Sequence, residues 1–343
     1  MSPTPPLDDC FTAFFRTLSL RFRRRLAVGL ALVLVTLGCL LACMGIRSVP
    51  AHPTGGSAWV VDPQRLEAHV RFLATDCCPR DWNSPAGLAK AGAYIEGIFR
   101  EAGGRPWKQT YAARGREFTN YGVTFGPEGG SRPIIGAHYD ACGELPAADD
   151  NASGVAGILE LAQRLGSHPP GCRVDLVAYT LEEPPFFRTQ DMGSARHAAS
   201  LVAEKATVRA MISLEMIGRF EDAPGTQHIP FPLSLFYPDR GNFIAVVGRF
   251  SDLGLTRKVK TAMRAADPLP VHSLSGPRWI PGVDFSDHHP YWDRGFPAIM
   301  ITDTAFNRNR DYHTEGDTPE KLDYRRMAQV VQGVEMALRD LAK

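Results

Sequence analysis

The stretch PIIGAHYD at residues 133–140, followed by ADDNASG at residues 148–154, joins a short apolar run to a histidine and a group of carboxylates. An apolar run of this length is typical of a strand that is buried on both faces of a sheet. Three more such runs lie at residues 174–180, 210–214 and 298–302, and acidic or histidine residues follow each of them. Our prediction of the fold rests on this repeated pattern, in which a buried strand is followed by acidic or histidine residues.

Helical and strand patterns fill the chain around these four runs. Apolar residues recur at helical spacing over residues 66–74, 86–102, 153–165, 194–203, 251–266 and 324–342. Residues 107–113 and 118–125 alternate in polarity as strands do. Because strands and helices alternate, the sequence predicts an α/β domain, a three-layer sandwich whose mostly parallel, mixed central sheet is flanked by helices.

Residue types that bind metals follow all four predicted buried strands. They are His138, Asp140, Asp149 and Asp150 after the first, Glu182 and Glu183 after the second, Glu215 after the third and His313 after the fourth. The carboxyl ends of strands in an open α/β sheet share one edge, where ligands bind. Imidazole and carboxylate together suit zinc, and two zinc ions need a bridging carboxylate. The adjacent pair Glu182–Glu183 offers one ligand and one free base that could take a proton from water.

Seven short motifs occur in order along the chain. They are HYD from residue 138, ADDNASG from residue 148, EE from residue 182, MGSARHA from residue 192, EMIG from residue 215, SDHHPYW from residue 286 and YHTEGDTPEKLD from residue 312. In these motifs the chain resembles the co-catalytic dizinc exopeptidases of clan MH, which include bacterial leucyl aminopeptidases, glutamate carboxypeptidase and, more distantly, glutaminyl cyclase. The resemblance covers residues 62–343 and implies the zinc-exopeptidase fold.

The resemblance implies two zinc ions per chain and assigns their ligands. One ion would be held by His138, Asp150 and Glu215, and the other by Asp150, Glu183 and His313. Asp150 would bridge the two ions, although the neighbouring Asp149 is an alternative bridge. Glu182 would be the general base, and Asp140 would orient the His138 imidazole.

The chain departs from the family pattern at two places near this site. Glu215 stands where the aminopeptidases usually have aspartate, and the sequence EEPPFFRTQ at residues 182–190 replaces a glycine-rich continuation. A rival histidine cluster, Asp287-His288-His289, either begins a helix beside the site or supplies a ligand. Aromatic residues could line a substrate pocket or pack in the core, and the candidates are Phe186, Phe187, Phe220, Phe231, Phe236 and Tyr237.

The N-terminal region predicts a membrane anchor. Residues 26–46 are 21 consecutive residues without a charge, close to the ~20 that a membrane-spanning helix needs. Five arginines precede this segment, at positions 16, 21, 23, 24 and 25. The positive-inside rule therefore predicts a cytoplasmic tail at residues 1–25, a signal anchor at 26–46 and an extracytoplasmic remainder. A cleaved signal peptide and a lipoprotein signal ending at Cys43 are the alternatives, and both also export the chain.

A linker and a single domain are predicted to follow the anchor. Residues 47–60 are rich in Pro, Gly and Ser, and residues 61–343 would form the catalytic domain. Its four cysteines, Cys77, Cys78, Cys142 and Cys172, permit disulfides outside the cytoplasm. Their spacing matches no zinc finger.

The balance of charge and the motifs that the chain lacks narrow its function. With 38 Lys and Arg against 37 Asp and Glu, the net charge is +1, which argues against nucleic acid as a partner. Neither a serine nucleophile elbow nor a phosphate-binding glycine loop is present. Together with the anchor segment, the family resemblance implies a membrane-tethered zinc exopeptidase acting on peptides, specifically an aminopeptidase in which metal-bound hydroxide attacks and Glu182 is the base. The alternatives are a single-zinc glutaminyl-peptide cyclotransferase and a non-catalytic binding ectodomain.

Overall fold

The computed structural model describes Phe22 and residues 24–38, 59–266 and 268–343. Helix α1 covers residues 24–38 and includes the first part of the predicted anchor, whereas residues 39–46 lie outside the described residues. Within the described part of the chain, no helix is both long enough and apolar enough to cross a membrane. The anchor, the cytoplasmic tail and the linker remain predictions.

An eight-stranded sheet in the order β1-β2-β4-β3-β5-β8-β6-β7 forms the centre of the domain. Its strands are β1 (Arg105–Ala113), β2 (Arg116–Phe125), β3 (Arg132–His138), β4 (Val174–Tyr179), β5 (Val208–Glu215), β6 (Ile244–Gly248), β7 (Val271–Ser275) and β8 (Ala298–Thr302). Strands β4, β3, β5 and β8 run parallel to one another, and β6 is parallel to β7. The pairs β1–β2, β2–β4 and β6–β8 are antiparallel. The predicted mixed sheet is confirmed.

Helices cover both faces of this sheet. They are α2 (Pro63–Arg71), α3 (Pro85–Glu101), α4 (Gly154–Ser167), α5 (Gly193–Ala203), α6 (Leu253–Ala266), α7 (His289–Asp293) and α8 (Tyr324–Leu341). One face packs against α2, α3, α4, α6 and α8, and the other packs against α5 and α7. Helix α2 begins where the Asp62 carboxylate accepts a hydrogen bond from the backbone of Gln64, with Pro63 in the first turn.

Alternation along the central strands explains why their sequences are mostly apolar. In β3, Ile135 packs with the helices of the first face and Ile134 with those of the second, because successive side chains point to opposite faces. Leu176 and Val177 of β4 divide in the same way. Both faces of a parallel sheet are buried in such a sandwich, so apolar side chains occupy most positions on both faces.

Strands β6 and β7 have no counterpart among the predicted elements. The β7 sequence VHSLS contains polar residues and is only alternately buried, as suits a strand at the edge of the sheet. The β6 run IAVVG is only five residues long. The polar residues of β7 obscure its strand pattern, whereas β6 is as long and as fully buried as β8, so its sequence carries the same signal as the predicted strand at residues 298–302.

Candidate metal centre

The site lies at the carboxyl edge of the four parallel strands. Strand β3 ends at His138 and β5 ends at Glu215, while β4 ends at Tyr179, shortly before Glu182 and Glu183. His313 arrives by a loop after β8, and its ring stacks on that of Tyr312 with 3.8 Å between ring centroids. The sheet order places the ends of β4, β3, β5 and β8 side by side, as the sequence predicted.

Asp150 lies between the two imidazoles. Its Oδ1 is 3.2 Å from Nε2 of His138, and its Oδ2 is 3.0 Å from Nε2 of His313. Glu215 approaches Nε2 of His138 at 3.4 Å, and Glu183 approaches Nε2 of His313 at 3.2 Å. The structure thus brings the five predicted ligands into two groups that share Asp150.

Several of these ligand atoms are buried without a hydrogen-bond partner. They include Oε1 of Glu183 and the Nε2 atoms of His138 and His313, whose close contacts with the Asp150 carboxylate are not hydrogen bonds by geometry. Leaving buried polar atoms unpaired is costly, so such atoms usually contact a partner or an ion. Because His138, Asp150 and Glu215 each offer a ligand atom within 4.8 Å of the others, and the donor set is imidazole and carboxylate, the residues fit zinc.

Burial and mutual repulsion shift the acidic groups of this centre. Burial raises the pKa of Glu182 well above its ordinary value, against the opposing effect of His138. Burial also raises the pKa of Glu183 to about 7, and the Asp150 carboxylate adds to that rise. Asp150 is buried as well, but His138 and His313 outweigh the burial and lower its pKa. A bound cation would stabilise the ionised form of the whole cluster.

His138 is oriented by Asp140, chiefly through the backbone of that residue. Nδ1 of His138 donates to the carbonyl oxygen of Asp140 at 3.3 Å, whereas the Asp140 carboxylate is 3.6 Å away. This contact leaves the Nε2 lone pair of His138 free for a metal. The Asp140 carboxylate instead accepts the backbone N–H groups of Glu182 and Glu183, at 3.2 and 3.1 Å. It therefore positions the predicted base and the predicted ligand together.

Asp149, the alternative bridge, points away from the imidazoles. Its carboxylate accepts hydrogen bonds from the backbone of Gly218 at 3.0 Å and from Nδ2 of Asn309 at 3.1 Å. The Asp317 carboxylate, which the sequence analysis did not single out, accepts the N–H groups of Asp149 and Asp150. These contacts fix the loop so that Asp150 alone faces both histidines.

The rival cluster at residues 287–289 supplies no imidazole to this centre. Nε2 of His288 donates to the carbonyl oxygen of Val283 at 2.8 Å, and the ring packs edge-on against Trp292. Asp287 is fully buried with both carboxylate oxygens unpartnered, and burial raises its pKa to about 7. The preceding Ser286 donates to Oε2 of Glu215 at 2.8 Å. Support for the ligands therefore comes from Ser286, directly before the cluster.

Arg80 is the largest fully buried side chain among the residues that the structure describes, and no sequence signal distinguished it from a surface arginine. Its guanidinium donates to the carbonyl oxygen of Tyr139 at 3.0 Å and to those of Pro146 and Ala147, both at 2.5 Å. A further hydrogen bond reaches Leu73. Arg80 therefore holds both ends of the loop at residues 140–147, which follows His138.

A cavity of about 650 Å³ opens beside the metal ligands. Glu215 and Tyr312 belong to its wall, and most of the remaining lining is apolar or aromatic. Of the six aromatic candidates, Phe231 and Tyr237 line it. Phe186 is buried in the core instead, where its ring meets that of Trp82.

A family model described as peptidase family M28 matches residues 124–338 of the chain. The uncharacterized protein YfbL of Escherichia coli (strain K12) is 47% identical over 298 residues, which cover 84% of this chain and 90% of YfbL. Leucine aminopeptidase 1 of Grosmannia clavigera is 25% identical over 71% of this chain, which spans 55% of that relative's length.

Solved structures show the same fold. The LapA aminopeptidase of Legionella pneumophila superposes with a TM-score of 0.67 at 18% identity, covering 82% of this chain and 72% of LapA. The glutaminyl cyclase of Bacteroides thetaiotaomicron gives a TM-score of 0.63 at 18% identity, covering 82% of this chain and 99% of the cyclase. At such identities the likeness extends to the architecture alone.

Proposed function

This chain belongs to peptidase family M28, a family of zinc-dependent peptidases, and we propose that it removes N-terminal residues from peptides with two zinc ions. One observation carries the proposal, the position of Asp150 between His138 and His313 at 3.2 and 3.0 Å. A carboxylate in that position could bridge two cations, and Glu215 on one side and Glu183 on the other would each supply a further carboxylate ligand.

The proposed ligands divide as the resemblance implies. His138, Asp150 and Glu215 would hold one ion, and Asp150, Glu183 and His313 the other. Zinc, when bound there, would polarise the scissile carbonyl and increase the acidity of water. The oxygen atoms of Ser286 and Asp140 keep the ligand side chains and the loops that carry them in place.

Glu182 would transfer the proton. It is 7% exposed and belongs to the same cluster as His138 and Glu183, but its closest imidazole contact, to Nε2 of His138, is 4.0 Å. A carboxylate beside the ligands but outside their closest contacts can accept a proton from water at Oε and pass it to the leaving amine.

The cavity beside Glu215 would receive the side chain of the N-terminal residue. Its apolar and aromatic wall favours a bulky apolar group, because burying such a group removes apolar surface from water. Phe231 lines the cavity and is 80% exposed. We therefore propose peptides with N-terminal leucine or phenylalanine as the preferred substrates.

A glutaminyl-peptide cyclotransferase that uses a single zinc is the second candidate. The observation in its favour is that the chain resembles glutaminyl cyclases at SDHHPYW from residue 286 and at YHTEGDT from residue 312. Such an enzyme would join the side chain of an N-terminal glutamine to its own amino group and release ammonia, leaving the peptide chain intact.

Mass spectrometry of peptide products tests both functions. The full chain, purified in detergent, is incubated with peptides that begin with leucine, phenylalanine or glutamine. Release of free leucine or phenylalanine, abolished by a chelator and restored by zinc, supports the aminopeptidase. Loss of ammonia from the glutamine peptide without cleavage would replace it with the cyclase, and a chain that alters no peptide after zinc is added contradicts both.

We also propose that residues 26–46 anchor the chain in a membrane, with the metal centre outside the cytoplasm. The support is the uncharged segment of 21 residues and the five arginines before it. Residues 39–46 of this segment lie outside the described residues.

A further inference from the structure

We propose that the thiolate of Cys142 is a fourth protein ligand at the metal position formed by Asp150, Glu183 and His313. The inference rests on the proposed zinc centre and adds a residue to it. Neither the motifs nor the family resemblance singles out Cys142, which lies four residues after His138.

The geometry places the sulfur among ligand atoms. Sγ of Cys142, a carboxylate oxygen of Glu183 and a ring nitrogen of His313 all lie within 4.8 Å of one another. Cys142 is half-buried, and its thiol forms no disulfide. Glu183 is 4% exposed, and its Oε1 has no hydrogen-bond partner. A buried carboxylate oxygen with no partner, beside an imidazole and a thiol, indicates a cation shared by all three.

The loop that carries Cys142 is held from both sides. Arg80 donates to the carbonyl oxygens of Tyr139 and Ala147 at its two ends. The Asp140 carboxylate is bound by the N–H groups of Glu182 and Glu183. Gly143, directly after the cysteine, adopts a φ of +66°, which favours glycine and turns the chain. These contacts hold the loop, and with it the thiol of Cys142, beside the site.

A thiolate ligand makes the two metal positions unlike. The position at His138 would have three protein ligands and an open site, as catalytic zinc requires, whereas the position at His313 would have four. On ligation the S–H bond of Cys142 breaks, its proton passes to solvent and a sulfur lone pair forms the bond to the cation. No oxidant is needed. Because thiolate is a soft ligand, this position would prefer zinc or cadmium to magnesium or manganese.

Cobalt(II) spectroscopy tests the proposal without relying on activity. The full chain is stripped of metal and titrated with cobalt(II), and the near-ultraviolet charge-transfer absorption of a cobalt–thiolate bond is recorded. We expect this absorption in the unaltered protein and its loss in Cys142→Ser. Cys172→Ser is the matched control, since Cys172 precedes the amino end of β4, at the opposite edge of the sheet, and should leave the absorption unchanged.

Zinc affinity gives a second measurement. We expect Cys142→Ser and Cys142→Ala to weaken binding of one of two zinc ions by about 10–100-fold, with an unchanged circular dichroism spectrum. The second substitution keeps the test informative if the first does not fold. Stoichiometric cobalt uptake without thiolate absorption, or absorption that persists in Cys142→Ser, overturns the inference and leaves the peptidase proposal standing. A chain that takes up no cobalt overturns both.

Discussion

Glu182 and Glu183 are neighbours in sequence, yet they occupy different positions in the centre. Glu183 is 3.2 Å from Nε2 of His313, whereas Glu182 comes no closer than 4.0 Å to Nε2 of His138. Both backbone N–H groups donate to the Asp140 carboxylate, which holds this part of the loop in place. The pair therefore allows a base and a ligand to be tested separately with the same substitution.

Glu182→Gln should retain two zinc ions and lose about 10²–10⁴-fold in kcat, because an amide cannot accept the proton. Glu183→Gln should instead lose metal from one position, since a neutral amide is a poor zinc ligand. Elemental analysis and turnover of a leucine peptide measure the two effects. Normal turnover in Glu182→Gln would remove the base assignment, and full zinc content in Glu183→Gln would remove the ligand assignment.

The two histidine motifs provide a second matched pair. His313 faces Asp150 and Glu183, while His288 donates to a backbone carbonyl and packs on Trp292. We expect His313→Ala to lower bound zinc and His288→Ala to leave the zinc content near two ions per chain while destabilising the fold. The reverse order of zinc contents would transfer the ligand role to His288.

At the scale of elements, the loop after β3 depends on a single buried arginine. Replacing Arg80 by methionine keeps most of its volume but leaves the carbonyl oxygens of Tyr139, Pro146 and Ala147 without that donor. Each unpaired buried acceptor costs roughly 1–3 kcal/mol. We expect Arg80→Met to lower the free energy of unfolding by about 3 kcal/mol or more and to reduce zinc binding, because this loop joins the predicted ligands His138 and Asp150.

Urea unfolding measures this change, and an exposed arginine supplies the control. Arg100 on α3 forms an ion pair with Glu96 while its side chain remains 66% exposed. Arg100→Met should change the stability by less than about 0.5 kcal/mol. Equal effects of the two substitutions would show that the buried hydrogen bonds of Arg80 do not hold the loop.

The segment between β5 and β6 contributes several residues that line the cavity. Replacing one of them tests whether the cavity determines substrate specificity. Phe231 lines the cavity and is 80% exposed, so Phe231→Ala should leave stability unchanged. We expect kcat/KM for leucine and phenylalanine peptides to fall about 5-fold relative to that for alanine peptides, as the loss of one apolar contact implies. Leu235 is also exposed, at 68%, but does not line the cavity. If Leu235→Ala has the same effect, the cavity is not the side-chain pocket.

For the whole molecule, the arginines before residue 26 determine the expected topology. A protease added outside intact cells should digest the chain after residue 46 and leave residues 1–25 protected, because positively charged flanks stay in the cytoplasm. Immunoblots with tags at each end measure this. Activity from a reporter that works only in the cytoplasm, fused after Lys343, would contradict the proposed orientation.

The sequence by itself determined the central strands and the residue types at their ends. Apolar runs such as residues 298–302 became β8 with the same limits, because burial on both faces leaves a local signal in every residue of a strand. The predicted ligands could also be identified from local sequence, since His138 and Glu215 are the last residues of their strands. The predicted and observed carboxyl ends of these strands differ by at most one residue, and these differences did not change which residues were predicted as ligands.

Only the tertiary structure decided which of these groups meet and what supports them. Asp150, and not Asp149, faces both imidazoles because contacts from Gly218, Asn309 and Asp317 orient the loop. His313 reaches the site from a left-handed backbone conformation, φ +55°. Such contacts join residues more than 60 positions apart, so no periodicity within a short window contains them. Arg80 and Cys142 were missed for the same reason, since their roles arise from the folded neighbourhood and not from the adjacent sequence.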